Sequence, residues 1–98
     1  MSKAEQKVLA YVNRQRAKLK LKPLKRLPKG FPGICRACPI ANALSVGGYA
    51  ADVDAGHLEV WPEEKPDVTS LSTDLPKYVS RFVEDFDEGK YPHLEVAR

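Results

Sequence analysis

Cys35-Arg36-Ala37-Cys38 is the sharpest chemical pattern in the chain. Two thiolates at this spacing can hold one edge of a tetrahedral zinc ion. Completing such a site would require His57 and His93, whose separations from the pair and from each other match no standard finger. The same pair could exchange with disulfides. A cysteine at a helix N-terminus has its thiolate stabilised by the dipole, and Arg36 would add to that. A thioredoxin-like site, however, expects a strand directly before the motif, and here a Pro/Gly-rich stretch precedes it. Cluster ligation would need an oligomer to supply further thiolates. Against these stands a structural reading: Cys38 caps a helix, Cys35 packs as a small apolar side chain, and both stay reduced. That reading is preferred, and no cofactor is expected. The alternative is a zinc- or thiol-dependent protein using Cys35 and Cys38, with His57 and His93 completing a metal site.

The other reactive side chains give less. His57 is two residues from Glu59, so a general base oriented by a carboxylate is conceivable, but the sequence offers nothing further to complete a triad or an oxyanion site. Glu63-Glu64 and the acids from Glu84 to Glu88 lack calcium-loop spacing. No glycine loop for phosphate is present. The chain is therefore read as a non-enzyme.

Charge is divided by position. Residues 1–36 carry eleven Lys/Arg and one acid, Glu5, whereas residues 37–98 carry five Lys/Arg and twelve Asp/Glu. The overall charge of +3 conceals a basic end and an acidic end. Such polarity gives an orienting field and points to a charged partner. The densest cations without neighbouring acids are Arg14, Lys18, Lys22, Lys25, Arg26 and Lys29, the candidate partner-binding residues. No base-reading module accompanies them, so a host protein is favoured over nucleic acid.

These groups need a scaffold. At 98 residues, 43% hydrophobic and 30% charged, the chain fits one globular domain over residues 1–98. No apolar run is long enough to span a bilayer, so no membrane is expected. The charged start, Ser2 to Lys7, lacks a signal-peptide core, which makes a reducing, cytoplasmic setting the expectation.

Ser2 and Glu5 have capping-box spacing, which predicts a helix from about residue 3. On a helical projection Ala4, Val8, Tyr11, Val12 and Leu19 form an apolar seam that includes Gln15. Lys3, Lys7, Arg14 and Lys18 border it on one side, and Arg16 and Lys20 lie beyond the other. Pro23 ends or follows the helix. If left exposed, the seam would suit a helix-in-groove or homodimer contact; packing on the final helix is slightly favoured. Residues 22–34, with three prolines, two glycines and four cations, read as an extended, semi-rigid connector. A short helix then starts at Pro39 with Cys38 as N-cap and stops at Gly47-Gly48. Residues 49–53 and 57–61 alternate around Asp54-Ala55-Gly56 as a hairpin, with Leu58 and Val60 on one face and His57, Glu59 and Trp61 on the other. Val68 to Leu71 is a candidate third strand. The last helix, capped by Thr73 or Asp74, carries Leu75, Tyr78, Val79, Phe82, Val83 and Phe86 on one face and an Arg81–Asp85 pair on the other.

Two stretches, LPKGFPGICRACPIANAL (Leu27–Leu44) and LPKYVSRFVEDFDEGKYPHL (Leu75–Leu94), together resemble small uncharacterised proteins of actinobacteria and their phages. Those proteins join a Leu-Pro-x-Gly stretch to a Cys-x-x-Cys-Pro segment and carry a Phe-Val-x-x-Phe-Asp-x-Gly-x-Tyr-Pro segment near the C-terminus. The resemblance implies a cellular setting and transfers no catalytic residues.

The expectation is an α+β domain: an N-terminal basic helix, a connector, a short Cys-initiated helix, a two- or three-stranded antiparallel sheet, and a C-terminal helix packed on the sheet. Its expected role is binding a macromolecular partner through charged surfaces.

Overall fold

The computed structural model describes residues 1–54 and 56–96. Helix α1 spans Lys3–Lys18 and is capped as the sequence predicts, with Ser2 Oγ accepting from the Glu5 N–H at 3.1 Å. It ends before Pro23. Lys20 takes the left-handed conformation at φ 61°, and the Lys20 and Leu21 N–H groups bond the Ala17 and Arg16 carbonyls at 3.0 and 2.8 Å. This is a Schellman closure with lysine where glycine is usual.

The seam of Val8, Tyr11, Val12 and Leu19 is buried, with Gln15 beside it. It faces α3 (Lys77–Asp87) and is not left open for a partner helix. Arg16 departs from the helical plot. It is buried, and its guanidinium donates to the Lys22 carbonyl at 2.7 Å and to the Ala43 carbonyl. Ala43 belongs to the last turn of helix α2 (Pro39–Leu44), whose carbonyls have no helical partner. An arginine that would otherwise be exposed is drawn inward to satisfy them.

Residues 22–34 are tied down rather than merely extended. Asn13 clasps Leu24 from both sides: its Nδ2 donates to the Leu24 carbonyl at 3.0 Å, and its Oδ1 accepts from the Leu24 N–H at 2.8 Å. Leu27 enters the core. Gly30 makes a parallel bridge to the chain's end, its N–H donating to the Leu94 carbonyl at 2.8 Å and its carbonyl accepting from the Val96 N–H at 3.0 Å. Asn42 Nδ2 donates to the Lys29 carbonyl at 2.8 Å and anchors the same stretch to α2.

Strands β1 (Tyr49–Asp54), β2 (His57–Pro62) and β3 (Leu71–Asp74) form an antiparallel sheet in that order. Ala55 of the expected turn lies outside the described residues; Gly56 has φ 80°, as that turn requires. The third strand comes three residues later than expected. The segment after β2 is consumed by turns, with the Lys65 N–H on the Pro62 carbonyl at 3.1 Å and the Val68 N–H on the Lys65 carbonyl at 3.0 Å. Leu71 is therefore the residue that pairs with Val60. Thr73 and Asp74 lie inside β3 and do not cap α3; Pro76 stands at that N-cap with no side-chain hydrogen bond.

Backbone to backbone, α2 approaches β1 and α3 approaches α1, so the last helix leans on the first more than on the sheet. One core unites them, with Ile40, Leu44, Leu58, Val60, Val79, Phe82 and Phe86 fully covered. Tyr78, expected on the core face, is 41% exposed and accepts from Arg14 at 3.1 Å. Asp85 pairs with Lys90 at 3.2 Å rather than with Arg81. A 3-10 turn, Pro92–Leu94, closes the chain against the connector. No helix among the described residues is long and apolar enough to cross a membrane.

Candidate functional site: a basic cleft at the joined ends

The Gly30 bridge brings three distant pieces of chain together. They enclose an open cleft of about 590 Å³ lined by Ser2 and Glu5 of the α1 entry, Lys25, Arg26 and Lys29 of the connector, and His93. Leu27, buried between these cations, fixes the connector so that Lys25, Arg26 and Lys29 stay exposed along one wall. Three of the six sequence-predicted partner-binding residues thus share a site. The other three do not line it. Arg14 reaches Tyr78 and lies over the Tyr11 ring at 5.8 Å. Lys18 is exposed in the last turn of α1, and Lys22 is exposed with its carbonyl held by Arg16.

The cleft is also lined by a carboxylate–imidazole pair that the sequence does not announce. Glu5 is the one acid of the basic end, and its side chain is only 7% exposed. His93 Nε2 lies 3.1 Å from both of its carboxylate oxygens, and Ser2 Oγ donates to Oε1 at 3.2 Å. Burial by itself would raise the Glu5 carboxyl, but the hydrogen bond and charge of His93 and the hydrogen bonds from Ser2 outweigh it and hold Glu5 below its ordinary value. Glu5 and His93 are 88 residues apart. Only the end-to-end bridge at Gly30 reveals them, and no local pattern could.

A second constellation lies on the exposed face of the sheet. His57 Nδ1 is 2.9 Å from Asp74 Oδ1, and its Nε2 is 2.8 Å from Ser72 Oγ. Glu59, the expected orienting carboxylate, is farther away at 3.6 Å. Ser72 and Asp74 were invisible in the sequence because a strand placed at 68–71 puts neither beside His57. The order hydroxyl, imidazole, carboxylate resembles an acyl-transfer triad. Its surroundings oppose that chemistry. Asp74 is 93% exposed, so its bond to the imidazole sits in water. Asp52, Asp54 and Glu59 share the pocket with His57, a field hostile to an oxyanion.

The cysteines are separated in character. Cys38 caps α2 as expected, its Sγ accepting from the Ala41 N–H at 3.4 Å, and burial pushes its thiol up to about 11. Cys35 is not packed inside. It is exposed, with Sγ 3.7 Å from Asp54 Oδ1, and its thiol too is raised, by desolvation and then by Asp54 and Asp52. Arg36 does not offset this; its guanidinium lies over the Trp61 ring at 5.3 Å. His93 is engaged by Glu5 and His57 by Asp74 and Ser72, so the four ligands of the zinc alternative are not gathered. Among the described residues no group of three or more His, Cys, Asp or Glu is arranged to hold a metal ion.

No family model, no curated protein and no solved structure matches this chain.

Proposed function

We propose that this chain is a non-enzymatic binding protein of a phage or actinobacterium. It acts in the cytoplasm on a macromolecular partner through its charged surfaces. The observation that carries this reading is the convergence of Lys25, Arg26 and Lys29 on one open cleft of about 590 Å³. Cations fixed around a concavity steer an anionic partner and set its register. A host protein is favoured over nucleic acid because no base-reading element accompanies these cations.

Charge reversal tests the reading. Tagged wild-type protein and a Lys25→Glu, Arg26→Glu, Lys29→Glu variant are each used to capture partners from an actinobacterial lysate at low and high salt. A partner held by the wild type, released by salt and absent from an equally folded variant supports the reading. A partner held equally by both proteins overturns it.

A further inference from the structure

The geometry points to a carboxylate-rich peptide segment as the occupant of the Lys25, Arg26 and Lys29 cleft, with His93 as a fourth donor recruited by protonation. This rests on the binding reading above and names the partner's chemistry. A connector running from Lys25 to Lys29 spans at most about 13 Å. An extended peptide repeats its same-face side chains about every 6.6 Å, so two or three alternate carboxylates match that reach. Arg26 can take one carboxylate with a two-pronged fork, and the lysines act as mobile point charges. The lining residues of the cleft include no Trp, Tyr or Phe on which bases would stack.

His93 gives the site its distinguishing property. Its side chain is 59% exposed, its Nε2 is committed to Glu5, and its Nδ1 has no hydrogen-bond partner among the described residues. An imidazole that donates one N–H to a carboxylate can donate from the other nitrogen only when it is protonated. The charged and polar groups that share its cleft are Met1 with its terminal amine, Ser2 and Glu5 at the start of α1, and Lys25, Arg26 and Lys29 from the connector, and the Tyr91 ring lies edge-on at 6.1 Å. An incoming carboxylate at the free Nδ1 accepts an N–H that only the protonated ring carries there, so binding takes up a proton and strengthens as pH falls from about 8 to about 6.

The test uses a fluorescein-labelled peptide of about eight residues alternating Glu and Ser, followed by anisotropy. Wild-type protein should bind it about tenfold more tightly at the lower pH, and Lys25→Gln with Lys29→Gln should weaken binding about tenfold. His93→Gln, checked for folding by circular dichroism, should bind at the lower pH only as weakly as the wild type does at the higher one, with no gain on acidification. Affinity for the peptide that does not vary with pH overturns the assignment while leaving the charged cleft standing. So does tighter binding of a single-stranded oligothymidylate of equal charge, or full displacement by inorganic phosphate. Failure of the folded protein to bind any of these probes in a salt-sensitive way overturns both the assignment and the cleft.

Discussion

His93 Nε2 is equidistant, at 3.1 Å, from the two carboxylate oxygens of Glu5, and so ties the first turn of the first helix to the last turn of the chain. The pair is asymmetric: the carboxylate is buried and the imidazole is largely exposed. The carboxylate, cut off from water, needs its donors, whereas the imidazole can reach bulk solvent. Loss of His93 should therefore be felt mainly through Glu5.

The folded Glu5 carboxyl lies below its ordinary value of 4.5: burial raises it, and His93 and Ser2 more than reverse that. The unfolded chain binds the proton more readily, so Glu5 contributes stability fully above the ordinary value and loses it as pH falls through the folded one. We expect acid to destabilise the wild type in this window more than it destabilises Glu5→Gln. Denaturant titrations at pH steps between about 6 and 3 read this directly. Parallel losses in the two proteins would remove Glu5 from the acid response.

Two backbone positions should respond with opposite signs. A Cβ on Gly30 would meet the Ala37 carbonyl oxygen, and would come within 2.8 Å of both the Cys38 carbonyl carbon and the Pro39 nitrogen. Those are backbone atoms at the entry to α2 and cannot swing aside. Gly30→Ala should cost about 1–3 kcal/mol and loosen the cleft with it. Lys20 holds φ 61° at the end of α1, where a side chain is strained. Lys20→Gly should gain about 1 kcal/mol. Thermal melts of the two variants check both, and a stabilised Gly30→Ala would show that the connector can yield.

The helices were legible from caps or from periodicity. Ser2 with Glu5 and Cys38 with Pro39 placed the first two by their caps, while the run from Val79 to Phe86 placed the third by its core face alone, its expected caps Thr73 and Asp74 falling in β3. Strand β3 was misplaced by three residues because the turns around Pro62 and Pro66 fix its start, and no alternation precedes Leu71. That single error hid Ser72 and Asp74 from His57. Arg16 was misjudged for a different reason. Its burial is dictated by orphan carbonyls of α2, which a helical plot of α1 cannot contain. The cleft was half visible. Its three connector cations stood out in composition, but Glu5 and His93 join them only through the bridge from Gly30 to Leu94 and Val96.

The two thiols should be separable by reactivity. Both are raised above the ordinary cysteine value, Cys38 to about 11 by burial and Cys35 by desolvation and nearby aspartates. At neutral pH Cys35 should alkylate more slowly than a free thiol because little thiolate is present, and Asp54→Asn should speed it. Cys38, buried at the α2 cap, should react only on unfolding. Iodoacetamide labelling followed by mass spectrometry gives both rates. Rapid labelling of Cys35 at neutral pH would show a reactive thiolate and favour thiol chemistry at this pair.

Ser72, His57 and Asp74 present the hardest case, because their hydrogen bonds, at 2.8 and 2.9 Å, have the lengths a nucleophile relay needs. The environment decides against it. A relay aspartate works from a desolvated position, where its charge holds the imidazolium strongly; Asp74 is almost fully solvated. The intermediate formed on Ser72 would carry a negative oxygen on a face already holding Asp52, Asp54 and Glu59. Like charge there raises the barrier that an oxyanion hole exists to lower. We therefore expect no acyl-enzyme burst with nitrophenyl acetate, and Ser72→Ala should leave the slow background hydrolysis within about twofold. A stoichiometric burst lost in Ser72→Ala would show that the sheet face does chemistry and that the protein is more than a binding module.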